Sequence, residues 1–255
     1  MANENPYLSI IIPSYKSAVP LEKNLPVLLD FLHRKKFTWE VIVVDDGSND
    51  GGKTEAVGKK YNCRFLNNPV NMGKGAALRN GMLHAKGAFR IFTDADIPYE
   101  TVVLDTFIHH LDAEKFNMVV GDRTLNTNYF ESIPRFRRIA SRIFSSLVDK
   151  LITTGTYDTQ CGIKGFRGAC ADDLFSVSCI NGFAIDVELF YIAFKRQYKI
   201  KKLAVELRSQ DGKSVKVLPH GLLMLLDIPV IILNSLKGRY KVGKIKTSAQ
   251  NQPVS

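Results

Sequence analysis

Two apolar runs of this chain end on paired carboxylates: WEVIVVDDGSND (39–50) stops at Asp45 and Asp46, and RIFTDADIPYE (90–100) stops at Asp94 and Asp96. Runs without polar alternation read as strands covered on both faces, so only their ends can carry charge. On an extended chain, side chains at i and i+2 leave the same face, and Asp94 and Asp96 are expected to point together. Two such charges repel unless water or a cation lies between them. The competing reading makes them turn residues ahead of a helix begun at Pro98, with Glu100 in its first turn.

YLSIIIPSY (7–15) reads as another buried strand, stopped at Pro13, and FNMVVGDR (116–123) as a further one that finishes at Arg123. Between them, Leu21, Leu25, Leu28, Leu29 and Leu32 recur at helical spacing and predict a helix over about 20–34. NNPVNMGKGAALRNGMLHAKG (67–87) reads as a glycine-bearing turn that opens into a helix from about Ala76 to Ala85. Strand and helix in alternation predict an α/β protein with a mostly parallel sheet and helices on both faces. Ligands of such sheets gather at the carboxyl ends of the strands. Asp45, Asp46, Asp94, Asp96 and Arg123 all fall there, beside the loop Gly73-Lys74-Gly75 ahead of a helix N-terminus. A nucleotide diphosphate with Mg²⁺ or Mn²⁺ suits this rim, because those ions take carboxylate and phosphate oxygens together. The chain has no GxxxxGK[ST] loop and no GxGxxG after its first strand, which argues against P-loop and dinucleotide chemistry.

A length of 255 residues, 45% of them hydrophobic, supports one sizeable core. The N-terminal residues carry no basic stretch before the first apolar run, so no signal peptide is expected. Cys63, Cys161, Cys170 and Cys179 form no CxxC pair and are expected as reduced thiols. The net charge of +10 suits nucleic acid, an anionic membrane or a phosphorylated substrate, and acidic pairs at the strand ends oppose nucleic acid. GLLMLLDIPVIIL (221–233) is interrupted by Asp227 and Pro229 and falls short of the roughly 18–20 residues of a spanning helix. The expected organisation is a catalytic domain over 1–215 and a membrane-proximal apolar and basic tail over 216–255. IPRFRRIASRIFSSLVDKLI (133–152) has the pattern of a basic amphipathic helix suited to a membrane interface.

IIPSYKS, VVDDGSND, NMGKGAALRNG, the Asp94-Ala95-Asp96 triplet, GDR, DTQCGIKGFR and GFAIDVEL, in that order, resemble the motifs of inverting family 2 glycosyltransferases with a GT-A (Rossmann-like) fold. The branch resembled is that of the polyprenyl-phosphate sugar transferases. The resemblance implies that Pro13 and Tyr15 flank the base of a UDP-sugar, that Asp45 and Asp46 contact its uridine, and that Asp94 and Asp96 serve the Mg²⁺ or Mn²⁺ and the diphosphate. It implies that Arg123, Arg137 and Ser141 hold the phosphate of a polyprenyl acceptor, with Arg208 and Lys213 closing over the donor. Asp158 and Asp186 are the two candidate bases. Lys16 and Ser17 depart from the Asn-Glu that the family commonly has there. The expected activity is transfer of a hexose, glucose first, from UDP-sugar to polyprenyl phosphate. The expected place is the cytoplasmic face of an anionic membrane, with a separate membrane subunit as a further partner. The rivals are transfer to a saccharide hydroxyl, with Asp186 as an obligatory base, and a non-catalytic nucleotide-sugar-binding protein.

Overall fold

The computed structural model describes residues 5–125, 158, 160–208 and 217–241, with side chains of 217–223 outside that description. Strands β1 (Leu8–Ser14), β2 (Trp39–Asp45), β3 (Arg64–Asn67), β4 (Phe89–Thr93), β5 (Met118–Asp122), β6 (Ile163–Arg167) and β7 (Ile200–Ala204) form one sheet of order β3-β2-β1-β4-β6-β5-β7. Helices α1 (Ala18–His33), α2 (Lys53–Lys60), α3 (Lys74–His84) and α4 (Val103–Asp112) alternate with the first five strands. Helices α5 (Gly168–Val177), α6 (Ile185–Lys195) and α7 (Val217–Leu236) follow.

The apolar runs are buried on both faces, as their lack of alternation requires. Ile10, Ile12, Val41 and Val43 join Leu21, Leu25 and Leu28 of α1 and Phe107 and Leu111 of α4 in one core. Ile11, Ile42, Val44 and Phe92 turn the other way, onto Ala77 and Leu78 of α3, Leu174 of α5 and Phe190 of α6. Met224, Ile228 and Ile231 of α7 join this second core, so the apolar stretch 221–233 lies within a helix that packs on the domain. The boundary expected at 215–216 falls outside the described residues. No helix among the described residues is long and apolar enough to cross a membrane.

Four strand pairings are parallel, but β6 runs antiparallel to both β4 and β5, with Thr93 opposite Ile163. This reversal has a positional consequence. An antiparallel strand brings its start to the edge where its parallel neighbours end, so Gln160, Cys161 and Gly162 reach the same rim as Asp94. Strands β3, β6 and β7 carry no long apolar run, and the sequence reading did not anticipate them. The competing reading of Asp94 and Asp96 begins a helix at Pro98, whereas α4 begins at Val103 and Pro98 lies in a loop whose carbonyl accepts the Arg208 N–H at 2.6 Å.

Helix α3 lies close against β1 and β2 because Gly81 faces the sheet. A Cβ there would stand 2.5 Å from Ile11 Cγ2 and 2.7 Å from Val44 Cγ2. Both contacts are methyl groups of stiff, packed side chains. Replacing Gly81 with Val is expected to destabilise the protein by about 1–3 kcal/mol through overpacking. A lowered urea midpoint with an unchanged slope is the measurement.

Candidate active site

The carboxyl end of β2 is built around Asp46, which is almost fully buried. Its Oδ1 accepts hydrogen bonds from Asn68 Nδ2 at 2.7 Å and the Met72 N–H at 3.1 Å, and its Oδ2 accepts the Gly73 N–H at 2.7 Å. Asp45 accepts the Ser48 N–H at 3.0 Å and a short bond from the Ser48 hydroxyl. Both carboxylates thus shape their own loops, where the sequence reading set them against a ligand. The reason is local: a buried carboxylate at a strand end needs donors, and the glycine-rich loops supply backbone N–H groups. Beside Asp45 a cleft of about 810 Å³ opens between the β2–α2 and β3–α3 loops, with Asp45, Ser48, Asn49, Phe65, Asn67 and Val70 among its walls. Ser48 Oγ also accepts the Lys16 N–H at 2.7 Å, which ties the loop carrying Tyr15 to this cleft. Tyr15 is exposed, and Pro13 lies within β1 opposite Val44.

Asp46 places α3. Gly73 adopts a φ of +102° that favours glycine, and Lys74 opens the helix two residues earlier than expected. The N–H groups of Gly75 and Ala76 are taken by the Asn181 carbonyl at 2.7 and 3.3 Å. What this helix end offers a ligand is therefore the Lys74 side chain. Lys74 Nζ lies 2.8 Å from Asp94 Oδ1. Burial opposes its charge, but the carboxylates of Asp94 and Asp186 outweigh burial and raise Lys74 above the usual lysine range.

Asp94 and Asp96 come together by a turn, which corrects the strand periodicity expected of them. Strand β4 ends at Thr93, and the Ile97 N–H closes the turn on the Asp94 carbonyl at 2.9 Å, with Ile97 at a φ of +41°. Loss of hydration, and then the charge of Asp94, push the exposed Asp96 carboxyl up. Asp94 rests on Gly162, where a Cβ would stand 2.1 Å from Asp94 Oδ2. Among the described residues no group of three His, Cys, Asp or Glu side chains gathers as a metal cluster. Two carboxylates at a strand end nevertheless match the donor set of a Mg²⁺ or Mn²⁺ that completes its coordination with phosphate and water. The buried hydroxyls of Ser14 and Thr93, at the ends of the adjacent strands β1 and β4, have no hydrogen-bond partner among the described residues.

The remaining predicted residues divide. Asp158 accepts from the Arg123 N–H and Nε at 2.8 and 2.9 Å through Oδ2 and from a terminal guanidinium nitrogen at 2.8 Å through Oδ1, so it braces Arg123. Asp186, 1% exposed, pairs with the fully buried Lys164 at 2.6 Å. Arg208 donates to Asn24 Oδ1 at 3.2 Å and stands by α1. Arg137, Ser141 and Lys213 lie outside the described residues, as does the whole amphipathic segment 133–152.

The glycosyl transferase family 2 model matches residues 9–175, which span the strands and loops that build this rim. The chain belongs to glycosyl transferase family 2. Within that family it is 30% identical to the dolichyl-phosphate beta-glucosyltransferase of Dictyostelium discoideum, over 94% of this chain and 79% of that one. It is 32% identical to the dolichyl-phosphate beta-glucosyltransferase of Homo sapiens with the same coverage. Its fold matches glucosyl-3-phosphoglycerate synthase of Mycobacterium tuberculosis, solved in complex with Mn²⁺, UDP and phosphoglyceric acid, with a TM-score of 0.61, 18% identity, and coverage of 94% of this chain and 80% of that one. The mostly parallel GT-A architecture expected from the sequence is the one observed.

Several residues of this family 2 site escaped the sequence reading. Gly162, Lys164 and Tyr99 all support Asp94 or Asp186, and Glu188 receives the N–H groups of Cys179 and Ile180 at 2.8 and 2.9 Å, which holds the loop that caps α3. One signal was present: a lysine inside CGIKGF is out of place in a strand core unless it has a partner. Gly162→Ala is expected to displace the Asp94 carboxylate. UDP affinity in the presence of Mn²⁺, measured by calorimetry, should fall at least about tenfold with little change in melting temperature.

Proposed function

We propose that the protein transfers glucose from UDP-glucose to a polyprenyl phosphate with inversion at the anomeric carbon, using Mg²⁺ or Mn²⁺ held at Asp94 and Asp96. The observation that carries this reading is the cluster of Asp94, Asp96 and Lys74 at the end of β4, in a family 2 chain similar to proteins that bear the name of dolichyl-phosphate glucosyltransferases. Lys74 stands against Asp94 as a cation already does, which indicates that this carboxylate is placed to receive one.

In this reading uridine lies between the exposed ring of Tyr15, beside Pro13, and the cleft at Asp45, where a flat face and polar groups meet. Asp46 and Gly73 hold the loop that delivers Lys74, whose ammonium turns to the diphosphate. A bound divalent cation supplies charge stabilisation to the departing diphosphate. Arg123, aligned by Asp158, binds the acceptor phosphate, the role that the family resemblance also gives Arg137 and Ser141. A phosphate monoester is largely ionised at neutral pH, since its second pKa lies near about 6, so its oxygen attacks without a side-chain base. The net charge of +10 suits work at an anionic membrane surface, on its cytoplasmic face, with the protein peripheral or held by a membrane subunit.

Purified protein incubated with Mn²⁺, labelled UDP-glucose and undecaprenyl or dolichyl phosphate is expected to carry label into organic solvent. Asp96→Asn should lower the rate by about 10²–10³-fold, with folding intact because Asp96 is exposed. Label that stays in water with every polyprenyl phosphate would refute the acceptor. UDP at 100 times its dissociation constant should stabilise the protein by about 2.7 kcal/mol, seen as a raised melting temperature that GDP does not match.

A further inference from the structure

Behind the rim lies a second ion pair that the transfer reaction does not itself require. Lys164, the second residue of β6, is fully buried, and its Nζ lies 2.6 Å from Asp186 Oδ1 in the first turn of α6. The same ammonium donates to the Cys161 carbonyl at 2.8 Å and stands 5.3 Å from the centre of the Phe92 ring. On the far side of that turn, the Tyr99 hydroxyl accepts the Gly162 N–H at 3.1 Å and meets Cys161 Sγ at 3.2 Å. The Cys161–Gly162 turn is therefore clamped from two directions. Gly162 in turn touches the Asp94 carboxylate so closely that no side chain fits between them.

We propose that Lys164 is a positioning residue for the donor site: it ties α6 to the Cys161–Gly162 turn and so holds Asp94 in place, and Asp186 serves that tie instead of taking a proton from the acceptor. This rests on the donor-site reading above. Stability gives little reason for the pair, because desolvating two charges costs as much as their attraction returns, and apolar replacements of similar volume are often neutral or stabilising. Geometry gives a reason. The ammonium reaches a carbonyl and a carboxylate at once, which an apolar residue cannot do, and the carbonyl belongs to the residue next to the one Asp94 leans on. Asp186 is also only 1% exposed. A general base must lie within hydrogen-bond reach of the proton it removes, whereas Asp186 is sealed from solvent with one oxygen on Lys164.

The test uses the full chain and the double variant Lys164→Met with Asp186→Leu, which removes both charges and leaves neither uncompensated. Binding of Mn²⁺ in the presence of UDP is followed by the electron paramagnetic resonance of free Mn²⁺, alongside separate kcat and KM values. The double variant is expected to melt at or above the wild-type temperature and to bind Mn²⁺–UDP about tenfold more weakly, the usual effect of losing an outer-shell support. KM for polyprenyl phosphate should stay within about twofold in that case, since the loss falls on the donor side. Asp186→Asn alone should keep the wild-type shape of the kcat pH profile. Wild-type Mn²⁺–UDP affinity in the double variant overturns the proposal, as does a double variant that fails to fold, which would make the pair structural. Loss of a pH-profile limb in Asp186→Asn with unchanged Mn²⁺–UDP binding would also overturn it, by making Asp186 a base. A wild-type protein that binds no UDP with Mn²⁺ would refute the donor-site reading itself, a result distinct from an unchanged ratio between variant and wild type.

Discussion

The buried carboxylate of Asp46 accepts three hydrogen bonds from the loop between β3 and α3, and the position of Lys74 on the rim follows from that loop. A carboxylate withdrawn from water needs several donors to remain there. It finds them only if residues 68–73 curl back over the end of β2, which forces Gly73 into its left-handed conformation and starts α3 at Lys74. Lys74 is then delivered to Asp94 on a different strand. Gly47, at a φ of +64°, completes the contact: a Cβ there would lie 2.3 Å from the Val70 carbonyl carbon, so the two loops touch backbone to backbone.

The reversed strand β6 supplies the other half of the site. In an all-parallel sheet the strand beside β4 would bring its carboxyl end to the rim and its start to the opposite edge. Running the other way, β6 brings Asp158 and Gln160–Gly162 to the rim, where Asp158 meets Arg123 at the end of β5 and Gly162 meets Asp94 at the end of β4. The supports thus lie between the two strands whose ends carry the charges. Precise placement of such groups depends on rigid neighbours more than on the groups themselves.

Charge is arranged in depth as well as around the edge. Asp94, Lys74, Asp186 and Lys164 alternate in sign from the rim into the core, and Arg123 is matched by Asp158. Lys164 pairs with Asp186 and Asp158 with Arg123, whereas the buried Asp46 and Glu188 are satisfied by neutral hydrogen-bond donors.

The sequence by itself determined the α/β class, the strands with continuous apolar runs, helices α1 and α3 to within two residues, and the edge of the sheet at which Asp45, Asp46, Asp94 and Arg123 stand. Those follow from local pattern, because a run such as VIVV (41–44) or a row of leucines at helical spacing has few ways to be buried. Tertiary structure alone decided which carboxylates turn inward and which remain at the rim. Asp45, Asp46, Asp94, Asp96, Asp158 and Asp186 look alike in sequence, yet two shape loops, two stand at the strand end, one braces Arg123 and one pairs with Lys164. A carboxylate's role depends on which donors the chain folds around it, and those donors come from residues 22 to 35 positions away in Asn68, Arg123 and Lys164. Strand β6 is the same case: its short and mixed sequence had no direction of its own until β4 and β5 stood on either side of it.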